Sequence, residues 1–149
     1  MKNLLYRIAY PILKLGWFIF RPRTRGVKIL IFDLKGRVLM VRHNYGRGYW
    51  TFPGGGVRKG EDEATAAIRE IDEELGMKLI KVELLGVYQS NFEYKRDTVS
   101  VFKAVVKDVV VTKDDAEIAE VSWFNLNELP QYLSPRVQTM IDFVYEKNK

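Results

Sequence analysis

Apolar residues in the first twenty positions recur at helical spacing: Leu4, Leu5, Ile8, Ile12, Leu15 and Ile19. Arg7, Lys14 and Arg21 fall seven apart, which puts three cations on one narrow polar stripe. Tyr6, Tyr10, Trp17 and Phe18 add aromatic bulk. The pattern predicts an amphipathic basic helix in residues 1–25, with Pro11 expected to kink it because proline lacks an N–H and crowds the preceding turn. The apolar run at 4–20 is at the short limit for crossing a bilayer, and two cations interrupt it. No small-residue cleavage site follows, so a signal peptide does not fit.

Beyond Gly26 the pattern changes to short β-branched runs. VKILIF at 27–32 and RVLMVR at 37–42 flank the turn chemistry of Asp33-Leu-Lys-Gly36 and predict an antiparallel hairpin. HNYGRG at 43–48 reads as a polar loop, residues 49–52 as a short extended piece, and Pro53 leads into Gly54-Gly55-Gly56. A helix is predicted to open at Glu61-Asp62-Glu63 and to bury Ala64, Ala67, Ile68, Ile71 and Leu75. Gly76 is placed to end it. Strands are predicted at 78–88, 98–106, 109–112 and 121–124, with 89–97 as a loop or hairpin tip. Asn125 is expected to cap a short helix that Pro130 stops. A terminal helix follows residues 134–136, with Val137, Met140, Ile141, Val144 and Tyr145 as its apolar face. Strands and helices mixed in this way, over 149 residues, describe one α/β domain (26–149) preceded by an arm (1–25).

Charge modifies the picture at one end only. The net charge of +5 is carried by residues 1–28, which hold seven Lys/Arg and no acid, while the remainder has 17 basic against 19 acidic residues. The arm therefore suits an acidic surface such as an anionic membrane, and the chain as a whole is not a specific nucleic-acid binder. The arm's helix has two readings: packing on its own domain or on a second copy, or lying in a lipid interface. The absence of cysteine excludes disulfides, cysteine-based zinc sites and thiol catalysis, and fits a cytoplasmic setting, with contact at the inner membrane face through residues 1–20 as a further expectation.

The candidate chemistry lies in residues 55–77, GGVRKGEDEATAAIREIDEELGM. Glu70, Glu73 and Glu74 are related as i, i+3 and i+4, so their carboxylates converge on one patch. Like charges at that spacing repel, and a hard cation such as Mg²⁺ or Mn²⁺ relieves the repulsion. The glycines upstream let backbone approach the same patch. The residues point to a metal site for a phosphorylated ligand.

Gly55, Glu61, Arg69-Glu70-Ile71, Glu73-Glu74 and Gly76 reproduce the Nudix box, G-x5-E-x7-R-E-U-x-E-E-x-G-U, where U is a bulky aliphatic residue. Met77 is the one departure. The chain thus resembles the Nudix hydrolase family. That resemblance implies an α/β/α sandwich around a mixed sheet, and divalent-metal-dependent hydrolysis of a nucleoside diphosphate linked to another group. It further implies Glu70, Glu73 and Glu74 as metal ligands, the Gly55 carbonyl as another, and a Glu61–Arg69 pair as the support that orients them. Glu70, or a residue outside the box, would be the general base. Glu117 and Glu120, before the VSWF run at 121–124, are candidates for a further ligand or that base.

Substrate identity is less legible. Arg42, Tyr45, Arg47 and Tyr49 precede the glycine turn, and Tyr88, Arg96 and Asp97 lie in the second loop region; all are candidates to touch a nucleotide. His43, the single histidine, reads as a surface or packing residue more than as a catalyst. Two subgroup markers are missing: the proline of the ADP-ribose group, since none lies between Lys78 and Leu129, and the glutamine of the RNA pyrophosphohydrolases before Phe52-Pro-Gly-Gly. The extended motif of the coenzyme A hydrolases is missing as well. Tyr94 lies near the tyrosine of diadenosine polyphosphate hydrolases. Nucleoside triphosphates, nucleotide sugars and dinucleoside polyphosphates remain as substrates. A nucleotide-sensing module that does not hydrolyse, and a membrane adaptor in which the arm is the function, are the alternatives.

Overall fold

The computed structural model describes residues 2–20, 23–91, 96–107 and 109–149, with the side chains of residues 2, 3, 4, 6, 7 and 17 excepted. The expectations placed on the side chains of Leu4, Tyr6, Arg7 and Trp17, and on Arg21 and Tyr94, lie outside the described residues. Helix α1 (Lys2–Phe20) runs unbroken through Pro11. It is followed by β1 (Arg23–Phe32), β2 (Val38–His43), β3 (Trp50–Thr51), α2 (Glu63–Leu75), β4 (Glu83–Ser90), β5 (Arg96–Val105), β6 (Ile118–Phe124) and α3 (Val137–Lys147).

The six strands form one mixed sheet, in the order β3-β2-β1-β5-β4, with β6 paired to β2. Its central seam is parallel: β1 and β5 run together from Arg23↔Arg96 to Phe32↔Val105. The hairpin between β1 and β2 is paired at Phe32↔Val38, next to a turn in which Asp33 Oδ1 accepts from the N–H groups of Lys35 and Arg37. Beyond that point the glycine loop replaces β2 as the partner of β1. Ile29 N donates to Pro53 O, Val27 N to Gly55 O, and Val57 N to Arg25 O, each at 2.9 Å.

Alternation along β1 divides the core into two layers. Val27, Ile29 and Ile31 face α2, where they pack with Ala66, Ala67, Ile71, Leu75 and Met77. Leu30 and Phe32 face α3, with Val137, Met140, Ile141 and Val144. The sheet between two helices is the α/β/α sandwich expected from the resemblance. On the α3 side, Gly86 lies flat against Phe143, whose ring a Cβ would meet at 2.9 Å.

Several boundaries differ from the expectations, each for a tertiary reason. β1 begins at Arg23, not Val27, because β5 pairs with residues 23–26 as well. Residues 78–82 are not strand, and β4 instead extends to Ser90, within the stretch expected to be a loop. Residues 109–112 form no strand; Val109 and Val111 pack on the core as irregular chain. Residues 126–128 form a turn, with Glu128 N donating to Asn125 O, and no helix. On α2, Ala64 is exposed, Ile68 is half-buried, and Ala66 and Glu74 are buried.

Candidate active site

The site is built from the glycine loop, α2 and the ends of three strands. Helix α2 starts at a capped end: Asp62 Oδ1 accepts from Thr65 N at 2.8 Å. It stops at Gly76, whose φ of 63° and backbone bond to Asp72 O form a left-handed cap. Between these ends Ile71 and Leu75 anchor the helix, so the glutamates reach the opposite edge, beside the glycine loop. Gly54 is required there. Its φ is +145°, and a Cβ would lie 2.1 Å from Val27 O. At Gly55 an added Cβ would meet the Glu70 carboxylate at 2.5 Å.

Arg69 organises the carboxylates. Its Nε and Nη2 donate to the two oxygens of Glu61 at 2.8 and 2.9 Å, Nη2 also to Gly56 O at 2.9 Å, and Nη1 to Glu70 at 2.8 Å and Glu73 at 3.2 Å. The fork holds the Glu61 carboxyl down at about 2, helped by the Arg58 N–H, and raises Arg69 above its ordinary value. Glu70 moves the other way: burial raises it, Arg69 opposes this, and Glu74 and Glu73 add to the rise. Glu73 faces Arg58 Nη2 at 2.9 Å. Glu74 is buried, accepting from Gly54 N at 3.1 Å, with His43 Nε2 3.4 Å from its other oxygen.

The donor set fits a hard divalent cation: three carboxylates, and a carbonyl at Gly55 that keeps a lone pair after accepting from Val27 N. The rise of Glu70 comes first from burial, and repulsion from Glu74 and Glu73 adds to it. Arg58 and Arg69 hold Glu73, and Gly54 and His43 hold Glu74. As these partners hold them, no group of three or more His, Asp or Glu side chains among the described residues is placed to hold a metal ion.

Beside this cluster opens a cavity of about 780 Å³. Gly54, Gly55 and His43 form its wall toward the glutamates, and Tyr45, Arg47 and Tyr49 come from the loop after β2. Tyr88, Asp97 and Arg136 line the far side, and Tyr10 of α1 lies against it. Lys28 projects into it from β1, donating to Phe52 O at 3.0 Å; burial lowers its pKa against the pull of Glu74, Glu70 and Asp97. Asp97 accepts from Thr24 Oγ1 at 2.9 Å. The Tyr88 phenol is pushed up to about 12 by burial and by Asp97, and the Arg136 guanidinium stands 5.8 Å from its ring centre.

The expected site residues therefore separate. Glu61, Arg69, Glu70, Glu73, Glu74 and Gly55 come together, and Tyr45, Arg47 and Tyr88 line the cavity. Arg42 and Glu120 face each other as an ion pair across β2 and β6, and Arg42 stacks 6.0 Å from Trp50, so neither reaches the cavity. Arg96 is exposed at the start of β5, also outside it. Glu117 is raised by burial, then by Glu74 and Asp114, and lowered by His43, which places its charge beside the cluster. His43 packs beside Glu74 and also lines the cavity, and sequence reasoning passed over Lys28 and Arg136. A lone lysine inside the apolar run VKILIF was the available signal for Lys28.

Comparison with known proteins agrees with this geometry. The family profile described as NUDIX domain matches residues 22–144. An RNA pyrophosphohydrolase of Teredinibacter turnerae is 41% identical over 76 residues, which cover 51% of this chain and 43% of that protein. The chain thus spans less than half the length of that curated relative. The crystal structure of a MutT NUDIX hydrolase from Burkholderia pseudomallei superposes with a TM-score of 0.75 at 27% identity, covering 82% of this chain and 98% of that one. A MutT protein from Methanosarcina mazei Go1 gives 0.73 at 27%, covering 87% and 99%. The box, the sandwich that presents it and the matched span together make this chain a member of the Nudix domain family.

Proposed function

We propose that the protein hydrolyses the pyrophosphate bond of a nucleoside diphosphate linked to another group, with Mg²⁺ or Mn²⁺ as cofactor. One observation carries the reading: the Glu70 carboxylate, oriented by the Arg69–Glu61 fork, packs on Gly55, and Gly55 lines a cavity that holds Lys28, Arg47 and Arg136. Acidic groups thus adjoin basic ones, as a metal–diphosphate pair requires. The cation would be held by Glu70, Glu73, Glu74 and the Gly55 carbonyl. When bound it neutralises phosphate charge and lowers the pKa of a coordinated water.

The protein's own residues supply position and electrostatics. Lys28 and Arg47 meet the phosphate oxygens. Tyr45, Tyr49 and Tyr88 offer faces for a base, and Asp97 offers an acceptor to its exocyclic donors. Arg69 and Glu61 hold Glu70 in register. Glu70, or Glu117 beside His43 and Glu74, takes the proton of the attacking water. Glu120 is the weaker candidate for that role, since Arg42 engages it. The cavity volume suits one nucleotide. A free nucleotide therefore fits better than an RNA end, in keeping with the missing glutamine before Phe52. A cytoplasmic setting fits a chain without cysteine.

A phosphate-release screen with Mg²⁺ or Mn²⁺ over nucleoside triphosphates, nucleotide sugars and dinucleoside polyphosphates tests the proposal. Turnover of at least one class, lost in Glu73→Gln, is expected. Tight nucleotide binding without release across the whole panel would overturn hydrolysis and leave a binding module.

A further inference from the structure

Among the described residues, helix α1 supplies none to the buried core, whose first member is Val27. Yet its described apolar residues face outward: Leu5 is 73% exposed, Ile8 60%, Ile12 68%, Leu15 60% and Ile19 63%. These positions follow a 3-4-3-4 spacing, so they form one continuous ridge along the helix. Tyr10 and Lys14, on the other side, are half-buried, and Tyr10 lines the cavity. The helix therefore turns its polar side to the domain and its apolar side away. An apolar ridge of this length marks an interaction surface.

We propose that the outward ridge of α1 docks the protein on an anionic lipid surface. Charge selects this occupant over a second copy of the chain. Residues 1–28 carry seven Lys/Arg, and the first acid in the sequence is Asp33. A second copy would oppose one basic arm, seven Lys/Arg with no acid, to another, with no carboxylate in either arm to compensate. Anionic headgroups supply that compensation, and the ridge supplies the apolar contact, so two weak signals combine. Among the described residues no helix is long and apolar enough to cross a membrane, so α1 lies in the interface plane. Tyr10 on the inner side then sets the cavity directly behind the membrane-bound helix. Docking is independent of whether the protein hydrolyses its nucleotide.

Flotation of the full chain with vesicles tests the proposal. Binding to phosphatidylcholine vesicles containing about 30% phosphatidylglycerol is expected, with little to pure phosphatidylcholine and release at about 0.5 M salt. Ile8→Asp with Ile12→Asp should lower partitioning about tenfold or more. Both sites are exposed, so the thermal melt and turnover of soluble nucleotide should match the parent. Lys14→Glu, which keeps the ridge intact, should weaken binding to the anionic vesicles alone. Absence of binding to anionic vesicles, unaltered partitioning of the double aspartate variant, or a dimer in light scattering that the double variant abolishes while vesicles bind nothing, would each overturn the assignment.

Discussion

Adjacent glycines in the loop before α2 answer to different constraints, and the difference is measurable. At Gly54 a side chain would strike the Val27 carbonyl, which is fixed in the central strand, in a backbone conformation of φ +145°. Gly54→Ala is expected to cost about 3 kcal/mol or more, read by denaturant unfolding. At Gly55 the obstacle is the far end of the Glu70 side chain, which can move. Gly55→Ala should therefore leave the melting temperature nearly unchanged while turnover falls about 10²-fold, because a candidate ligand is displaced by about an ångström. Glu73 is half-exposed and holds no core contact, so Glu73→Gln should keep the fold and lose about 10²–10³-fold in kcat; undiminished turnover would remove the glutamate cluster from the chemistry. Glu61 gives a pH signature. Its folded pKa, about 2, lies below the ordinary 4.5, so its contribution to stability is complete above the unfolded value and is lost as pH falls toward the folded one. Melting temperatures of the parent and Glu61→Gln should differ at neutral pH and converge on acidification through that window.

Among the elements, α2 was the most legible, because its determinants are local. The Glu61-Asp62-Glu63 start, Gly76 and the glutamate spacing all lie within 23 consecutive residues, so start, stop and patch could be read together. The cap is testable: Asp62→Ala should cost about 1 kcal/mol in chemical denaturation, through the lost Thr65 N–H acceptor. The strands were less legible because their partners are distant. The sequence around residues 23–26 is basic and carries a glycine, which suits a linker; pairing with residues 96–99 makes it strand. Lys28, His43, Asp97 and Arg136 belong to four separate segments, and only the sheet together with the start of α3 brings them to one cavity. Arg42 illustrates the reverse. It sits next to His43 in sequence, yet alternation along β2 and the irregular register between them send it to Glu120 and Trp50 instead.

At the scale of the whole molecule, both core layers draw, among the described residues, on 27–144 alone. Deleting residues 1–20 should leave a cooperatively folding protein that is more soluble, with its melting temperature within a few degrees of the parent; loss of cooperative unfolding would show that α1 belongs to the domain. Tyr10 lines the cavity, so the truncated protein is expected to show its change in KM more than in kcat. The glycine loop has one further consequence. The Gly55 carbonyl, a candidate ligand for the cation, accepts from the Val27 amide and keeps a second lone pair. Anything that draws electron density from that oxygen must also be felt at the Val27 nitrogen. The Val27 amide resonance, together with those of Ile29 and Val57 on the same loop, should therefore shift on addition of Mg²⁺ alone, and their hydrogen exchange should slow. These three amides form a spectroscopic gauge of loop occupancy that works without any turnover.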